Sequence, residues 1–135
     1  MYRNAPLAVQ IANLYRNRAI GSFYQRHGIN VIPLVRWGSP LTFNKSYFPE
    51  KIAFLGIEKK SIVAIGTYGC IKTKEDKKLF KDGLVSMIDE LEPKIVVVYG
   101  SMPKEIFDEL KNRTVFVQYD NWTKRMHSEK GNKNG

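Results

Sequence analysis

SIVAIGTYGCIKTKED, residues 61–76, decides how the chain is read. An apolar run leads into Gly66, Thr67, Tyr68 and Gly69. After Ile71, Lys72 and Thr73 the pattern becomes charged and helical. A phosphate loop would read strand, G-x-x-x-x-G-K-[ST], helix. Here Ile71 stands where the second glycine belongs, and a β-branched side chain resists the backbone wrap that the glycine provides. Thr73 and Asp76 instead form a capping-box pair. They open a helix with Phe80, Leu84, Met87, Ile88 and Leu91 at helical spacing, and Pro93 closes it. The stretch is therefore a strand-to-helix turn of an α/β fold and not a nucleotide-hydrolysing loop. A helix N-terminus after Gly69 or Gly100 is still an expected resting place for an anion.

The same alternation continues on both sides. KIVVVYG (94–100) reads as a strand, SMPKEIFDELKN (101–112) as a short helix with Ile106, Phe107 and Leu110 inward, and TVFVQYD (114–120) as the last strand. Upstream, INVIPLVRWG (29–38) reads as a strand, and a short helix is expected around residues 49–55. The first helix is expected from an Asn4 cap, with Pro6 in its first turn, to His27, with Gly28 as its stop. Its wheel predicts Ala8, Ile11, Ala12, Tyr15, Ala19 and Phe23 as the buried stripe. Apolar strands alternating with amphipathic helices predict an α/β fold: a small parallel sheet of about four strands with helices on both faces. A doubly wound sheet and part of a (β/α) barrel both fit this order.

With 135 residues the chain is expected to form a single α/β domain over residues 1–120, followed by a basic, disordered tail over 121–135. No apolar run reaches a membrane span and no signal-peptide pattern opens the chain, so a cytoplasmic protein with no membrane partner is expected. One cysteine, Cys70, rules out an internal disulfide and is expected to pack as a small hydrophobe. No spacing of histidines suggests a metal site, and no motif calls for a cofactor. The formal net charge of +9 is unevenly distributed: residues 1–49 carry six basic residues and no acid, residues 50–120 carry twelve of each, and residues 121–135 add +3.

Three expected strands end alike, in Arg36-Trp37-Gly38, Thr67-Tyr68-Gly69 and Val98-Tyr99-Gly100, and the fourth ends in Gln118-Tyr119-Asp120. Parallel α/β sheets bind ligands at the carboxyl ends of their strands. The expected ligand-binding set is accordingly Arg36, Trp37, Thr67, Tyr68, Gly69, Tyr99, Gly100, Ser101 and Asp120. Arg16 and Arg18 join it because both border the apolar stripe of the first helix, and arginine suits bidentate contact with phosphate.

Four blocks, APLAVQIANLYRNRAIG, GINVIPLVRWG, SIVAIGTYGCIKTKEDKKLFKDGLVSMIDELEP and KIVVVYGS, resemble the domain-of-unknown-function family 4417. The resemblance covers residues 2–120, corresponding to the family's C-terminal part. It rests on Tyr15, Arg16, Asn17 and Arg18, on Trp37, on Thr67 and Gly69, and on Tyr99 and Gly100. It implies a protein of phages, plasmids and other mobile elements, and it carries over no catalytic residue. The chain departs from the family in starting after a preceding segment with a strand, and at Phe54-Leu55-Gly56, where the family tends to place an acid.

Three functions follow as expectations. The first is a binding module for a phosphate-bearing ligand, nucleotide or nucleic acid, at the strand ends, where basic charge meets aromatics. The second is an inhibitor of a host protein acting in counter-defence. The third is an enzyme at the same face, with Asp120 as its acid. Two open sheet edges also predict a homodimer, formed by edge pairing or by the first helix packing across the interface near Leu7, Ile11 and Leu14. The tail yields a direct test. Truncation after Asp120 should leave the melting temperature nearly unchanged and lower retention on heparin, whereas a large loss of stability would show Trp122 or Met126 packing on the domain.

Overall fold

The protein's structure, a computed structural model, describes residues 5–46 and 48–119. Among these residues, three α-helices, α1 (Leu7–Arg26), α2 (Lys74–Leu91) and α3 (Lys104–Phe107), accompany three strands, β1 (Ile62–Gly66), β2 (Ile95–Tyr99) and β3 (Val115–Tyr119). The strands form one parallel sheet in the order β1-β2-β3. Thr73 opens α2 as its sequence requires. Its hydroxyl accepts from the Asp76 N–H at 3.0 Å, and the Asp76 carboxylate accepts from the Thr73 N–H at 3.2 Å. Glu92, in the left-handed region at φ 46°, ends the helix before Pro93.

The α2 stripe Phe80, Leu84, Met87, Ile88 and Leu91 is buried as expected, together with Ile106, Phe107 and Leu110. These side chains share one core with Val63, Ile65, Val96 and Val98, the alternate residues of β1 and β2. Lys77 donates to Glu105 at 2.7 Å and holds that carboxyl below its usual range. Lys81 meets Glu109 at 3.0 Å, so two exposed ion pairs run along the contact between α2 and the α3 region. Such pairs add little stability but fix the approach of the two segments.

The sheet has three strands where about four were expected. Residues 29–38 contribute only a bridge, Leu34 beside Ala64 in parallel. The Ala64 N–H donates to the Pro33 carbonyl at 2.9 Å, and the Val35 N–H donates to the Ala64 carbonyl at 2.7 Å. On one side the ladder stops because Pro33 has no N–H to offer. On the other the chain turns inward at Trp37. Its indole lies over Gly83, where an added Cβ would come within 2.1 Å of the Trp37 Nε1, and it contacts Phe80 and Phe54 at ring distances of 5.1 and 6.4 Å. Ser86, three residues on, donates to the Phe43 carbonyl. One side of α2 thus faces the sheet and another receives the irregular segment, which contains 3₁₀ turns at Pro40–Thr42 and Ile52–Phe54. The second turn falls within the helix expected around residues 49–55.

α1 corrects the helical-wheel expectation. Ile11, Tyr15 and Phe23 face solvent, and so do Ala8, Ala12 and Ala19. The docked side carries buried Gln10 and half-buried Leu7, Leu14, Arg18 and Gly21. Gln10 donates to the Ala5 carbonyl at 2.7 Å and accepts from the Ser39 N–H at 3.2 Å. Arg18 donates to the carbonyls of Leu55 at 2.9 Å and Ala53 at 3.0 Å. Carbonyls in an irregular segment need donors, and this need, not apolar burial, selects the docked face. Gly28, at φ 77°, does end the helix: its N–H donates to the Gln25 carbonyl and the Ile29 N–H to Tyr24, each at 3.1 Å, a Schellman arrangement. The expected Asn4 cap lies outside the described residues.

The Trp37–Gly83 contact predicts a reversal of sign. Gly83→Ala alone should destabilise the protein by about 1–3 kcal/mol through overpacking. In a Trp37→Ala background the same change should stabilise by up to ~1 kcal/mol, the ordinary gain of alanine over glycine in a helix. Urea denaturation of the four proteins of this cycle measures both.

Candidate functional site at the carboxyl edge of the sheet

The strand ends are tied to one another before any ligand is considered. The Thr67 N–H donates to the Tyr99 carbonyl at 3.0 Å, and the Gly100 N–H donates to the Tyr119 carbonyl at 2.8 Å. Thr67 is buried, and its hydroxyl donates to the Ser101 carbonyl at 2.7 Å. The Gln118 side-chain amide donates to the Gly100 carbonyl at 2.9 Å. Thr67 and Gly100 therefore act as a strut beneath the edge. The glycine is required there: it has φ 119°, and an added Cβ would lie 2.5 Å from the Thr67 Oγ1. Gly69, at φ 76°, turns the chain away from β1.

Three of the four expected aromatics come together above this strut. Register places Gly66, Tyr99 and Tyr119 side by side across the sheet, and Tyr68 follows β1 at 76 % exposure. Tyr99 and Tyr119 are about half exposed. Trp37 does not join them, because its ring lies against α2. Ser101 is exposed just beyond Gly100, and Asp120 lies outside the described residues. Cys70, expected in the packed interior, is exposed, with its Sγ 3.6 Å from the Tyr68 carbonyl it donates to.

The three arginines separate. Arg36 is exposed, two residues beyond the Leu34 bridge in the direction of the carboxyl edge. Arg16 is exposed on α1. Arg18 is committed to two carbonyls of residues 53–55, and desolvation pulls its guanidinium below the ordinary arginine value. The first turn of α2 already carries Glu75 and Asp76, and Asp76 occupies the cap. Its two negative charges oppose a further anion at that N-terminus.

Two features were not read from the sequence. One is a shallow cavity of about 480 Å³ at the opposite, amino end of the strands, lined by Lys60, Lys94, Lys111 and Arg113 with Glu92. Its field is reduced by Arg113 pairing with Asp89 at 2.7 Å and Lys111 with Asp108 at 3.1 Å. The available signal was a basic residue just before each strand. The other is the second face of the sheet, where Ile62, Ile95 and Val115 form one row and Ala64, Val97 and Val117 the next; Ile62, Val115 and Val117 are exposed there and Ala64, Ile95 and Val97 half-buried. No group of three or more His, Cys, Asp or Glu among the described residues is placed to hold a metal ion. No helix among them is long and apolar enough to cross a membrane.

The family described as "Domain of unknown function (DUF4417)" matches residues 1–120. The chain is similar to the Gene 1 protein of Mycobacterium phage L5, with 37% identity over 102 residues that cover 76% of this chain and 42% of the relative. It is also similar to the Gene 1 protein of Mycobacterium phage D29, with 33% identity over 102 residues that cover 76% of this chain and 35% of the relative. The chain thus spans less than half the length of these curated relatives. No solved structure matches.

The strut can be tested apart from any ligand. Thr67→Val should cost about 1 kcal/mol for the lost hydrogen bond. Gly100→Ala should cost more, because it combines steric overlap with an unfavourable φ. Equal, negligible effects in thermal melts would show that the strand ends are not held this way.

Proposed function

The chain belongs to the DUF4417 family, and from that premise we propose that it is a binding module for single-stranded nucleic acid, which lies along the carboxyl edge of the sheet with its bases against Tyr68, Tyr99 and Tyr119. The observation that carries this reading is the grouping of three exposed tyrosines at neighbouring strand ends. An aromatic ring offers every base a stacking partner, at about 1–3 kcal/mol per base. The backbone groups of the edge are already bonded to one another, which favours sequence-tolerant stacking over hydrogen-bonded readout of base edges.

Charge supports the same reading. Arg36 is exposed, Lys72 follows Tyr68 on the turn into α2, and the chain as a whole is formally +9. These groups supply phosphate contacts that a neutral tyrosine ledge lacks. A strand of several nucleotides fits this arrangement better than a free mononucleotide. The edge is an open ledge, and the shallow cavity lies at the other end of the strands.

Fluorescence anisotropy with a labelled oligothymidylate tests the proposal. Binding should weaken steeply with salt. Tyr68→Ala or Tyr119→Ala should each raise Kd roughly 5- to 150-fold, equivalent to 1–3 kcal/mol of stacking, without changing the salt slope. Arg36→Ala should reduce that slope by about 0.7, the single-strand value for one phosphate contact. Salt-insensitive binding, or affinity unchanged in both tyrosine variants, would sink the reading.

A further inference from the structure

Two large apolar faces of the described residues are left exposed, and they are complementary in form. The outward stripe of α1 presents Ile11 at 40 %, Tyr15 at 73 % and Phe23 at 58 % exposure along one row, and its Ala8, Ala12 and Ala19 leave the helix surface shallow. The second sheet face presents the rows Ile62–Ile95–Val115 and Ala64–Val97–Val117, with Val115 at 58 % exposure. The two sheet rows contain no charged residue, and on α1 the exposed Arg16, four residues after Ala12, and Arg26, three after Phe23, lie at the margins of the stripe. Parallel sheets are ordinarily covered on both faces by helices. α1 cannot do this within its own protomer while Gln10 and Arg18 fasten its other side to residues 39–55.

We propose that a second copy of the chain supplies the cover: across a two-fold axis, the outward stripe of each α1 lies on the aliphatic rows of the other protomer's sheet. Area selects the reciprocal arrangement. Scaling ordinary side-chain areas by the observed exposures, one helix-on-sheet contact buries roughly 800 Å² in total, the size of a packing contact, whereas two related contacts bury roughly 1,600 Å², the standard size of a stable interface. A two-fold pairing is also the commonest closed assembly of identical chains. The tyrosine row at the carboxyl edge lies beyond the covered rows, so this interface and the nucleic-acid ledge are separate surfaces and can fail separately.

Sedimentation velocity of the full chain over a range of concentrations, with Phe23→Asp and Val117→Lys as variants, tests the proposal. The wild type should sediment as a dimer of 15.6 kDa protomers. Each variant should keep its circular dichroism, because both side chains face solvent in the isolated protomer, and its melting temperature should fall only as far as the lost association accounts for. Each should also dissociate at least ~100-fold more readily, since every homodimer would then bury two unpaired charges. An equimolar mixture of the two variants should regain part of the dimer, because a heterodimer keeps one unaltered helix on one unaltered sheet. Tyr15→Glu and Val115→Lys form a second pair should either first variant fail to fold. A wild-type monomer, a dimer unmoved by both substitutions, or a mixture that stays monomeric overturns the proposal and assigns the two faces to other partners.

Discussion

The missing β-carbon at Gly83 is the constraint on which the rest of the arrangement depends. It admits the Trp37 indole against the backbone of α2, a place that any side chain at position 83 would occupy. Because the indole turns inward there, residues 36–38 cannot continue the ladder that Leu34 begins beside Ala64. The turn in turn delivers the irregular segment to α2, where Phe43, Ala53 and Phe54 join the core. That segment presents the Ala53 and Leu55 carbonyls to Arg18 and the Ser39 N–H to Gln10, both side chains of α1. A single close approach thus connects the repeating β-α-β half of the molecule to an N-terminal half held mainly by hydrogen bonds.

That division explains which parts of the fold were legible in the sequence. β1, α2, β2 and β3 were readable because their signals are local. A capping box marks where α2 starts, a 3.6-residue apolar period marks the side it buries, and Pro93 and the glycines mark the ends. α1 was misread because the helical wheel assumes that burial follows hydrophobicity. Here the docked side carries Gln10 and Arg18, whose partners lie far away in sequence: the Ser39 N–H for Gln10 and the Ala53 and Leu55 carbonyls for Arg18. Residues 29–38 have the composition of a strand, yet Pro33 removes a donor and Trp37 has a better partner than solvent. Neither fact shows in β propensity, which measures fit to a pleated surface and not the competition for one side chain.

The carboxyl edge was partly legible for the same reason. Tyr68, Tyr99 and Tyr119 follow from strand endings alone, since parallel strands of equal length bring their ends together. The role of Thr67 does not, because its partner is the Ser101 carbonyl 34 residues away. A phosphate-centred view of this edge loses ground to an aromatic one on electrostatic grounds. A free helix N-terminus attracts an anion by about 0.3–1 kcal/mol, and at α2 two carboxylates in the first turn oppose even that. Stacking on three rings is worth several times more. In the proposed complex, positive charge would contribute to the encounter and to backbone contacts, while the rings would determine where the strand lies.

The second sheet face divides by residue type along the strand direction. At the amino and middle positions the rows are Ile62–Ile95–Val115 and Ala64–Val97–Val117, stiff aliphatic side chains that suit a dry contact with a helix. At the carboxyl position the row becomes Gly66–Tyr99–Tyr119, where a glycine opens space beside two rings that carry hydroxyls and tolerate water. A surface evolved only for burial gains nothing from replacing the last aliphatic pair with tyrosine. A surface used only for a polar ligand gains nothing from six uncharged aliphatic positions beneath it. The change of chemistry between the second and third rows is therefore where the proposed assembly surface would end and the proposed ligand ledge begin. It lies within a single strand, between Val97 and Tyr99.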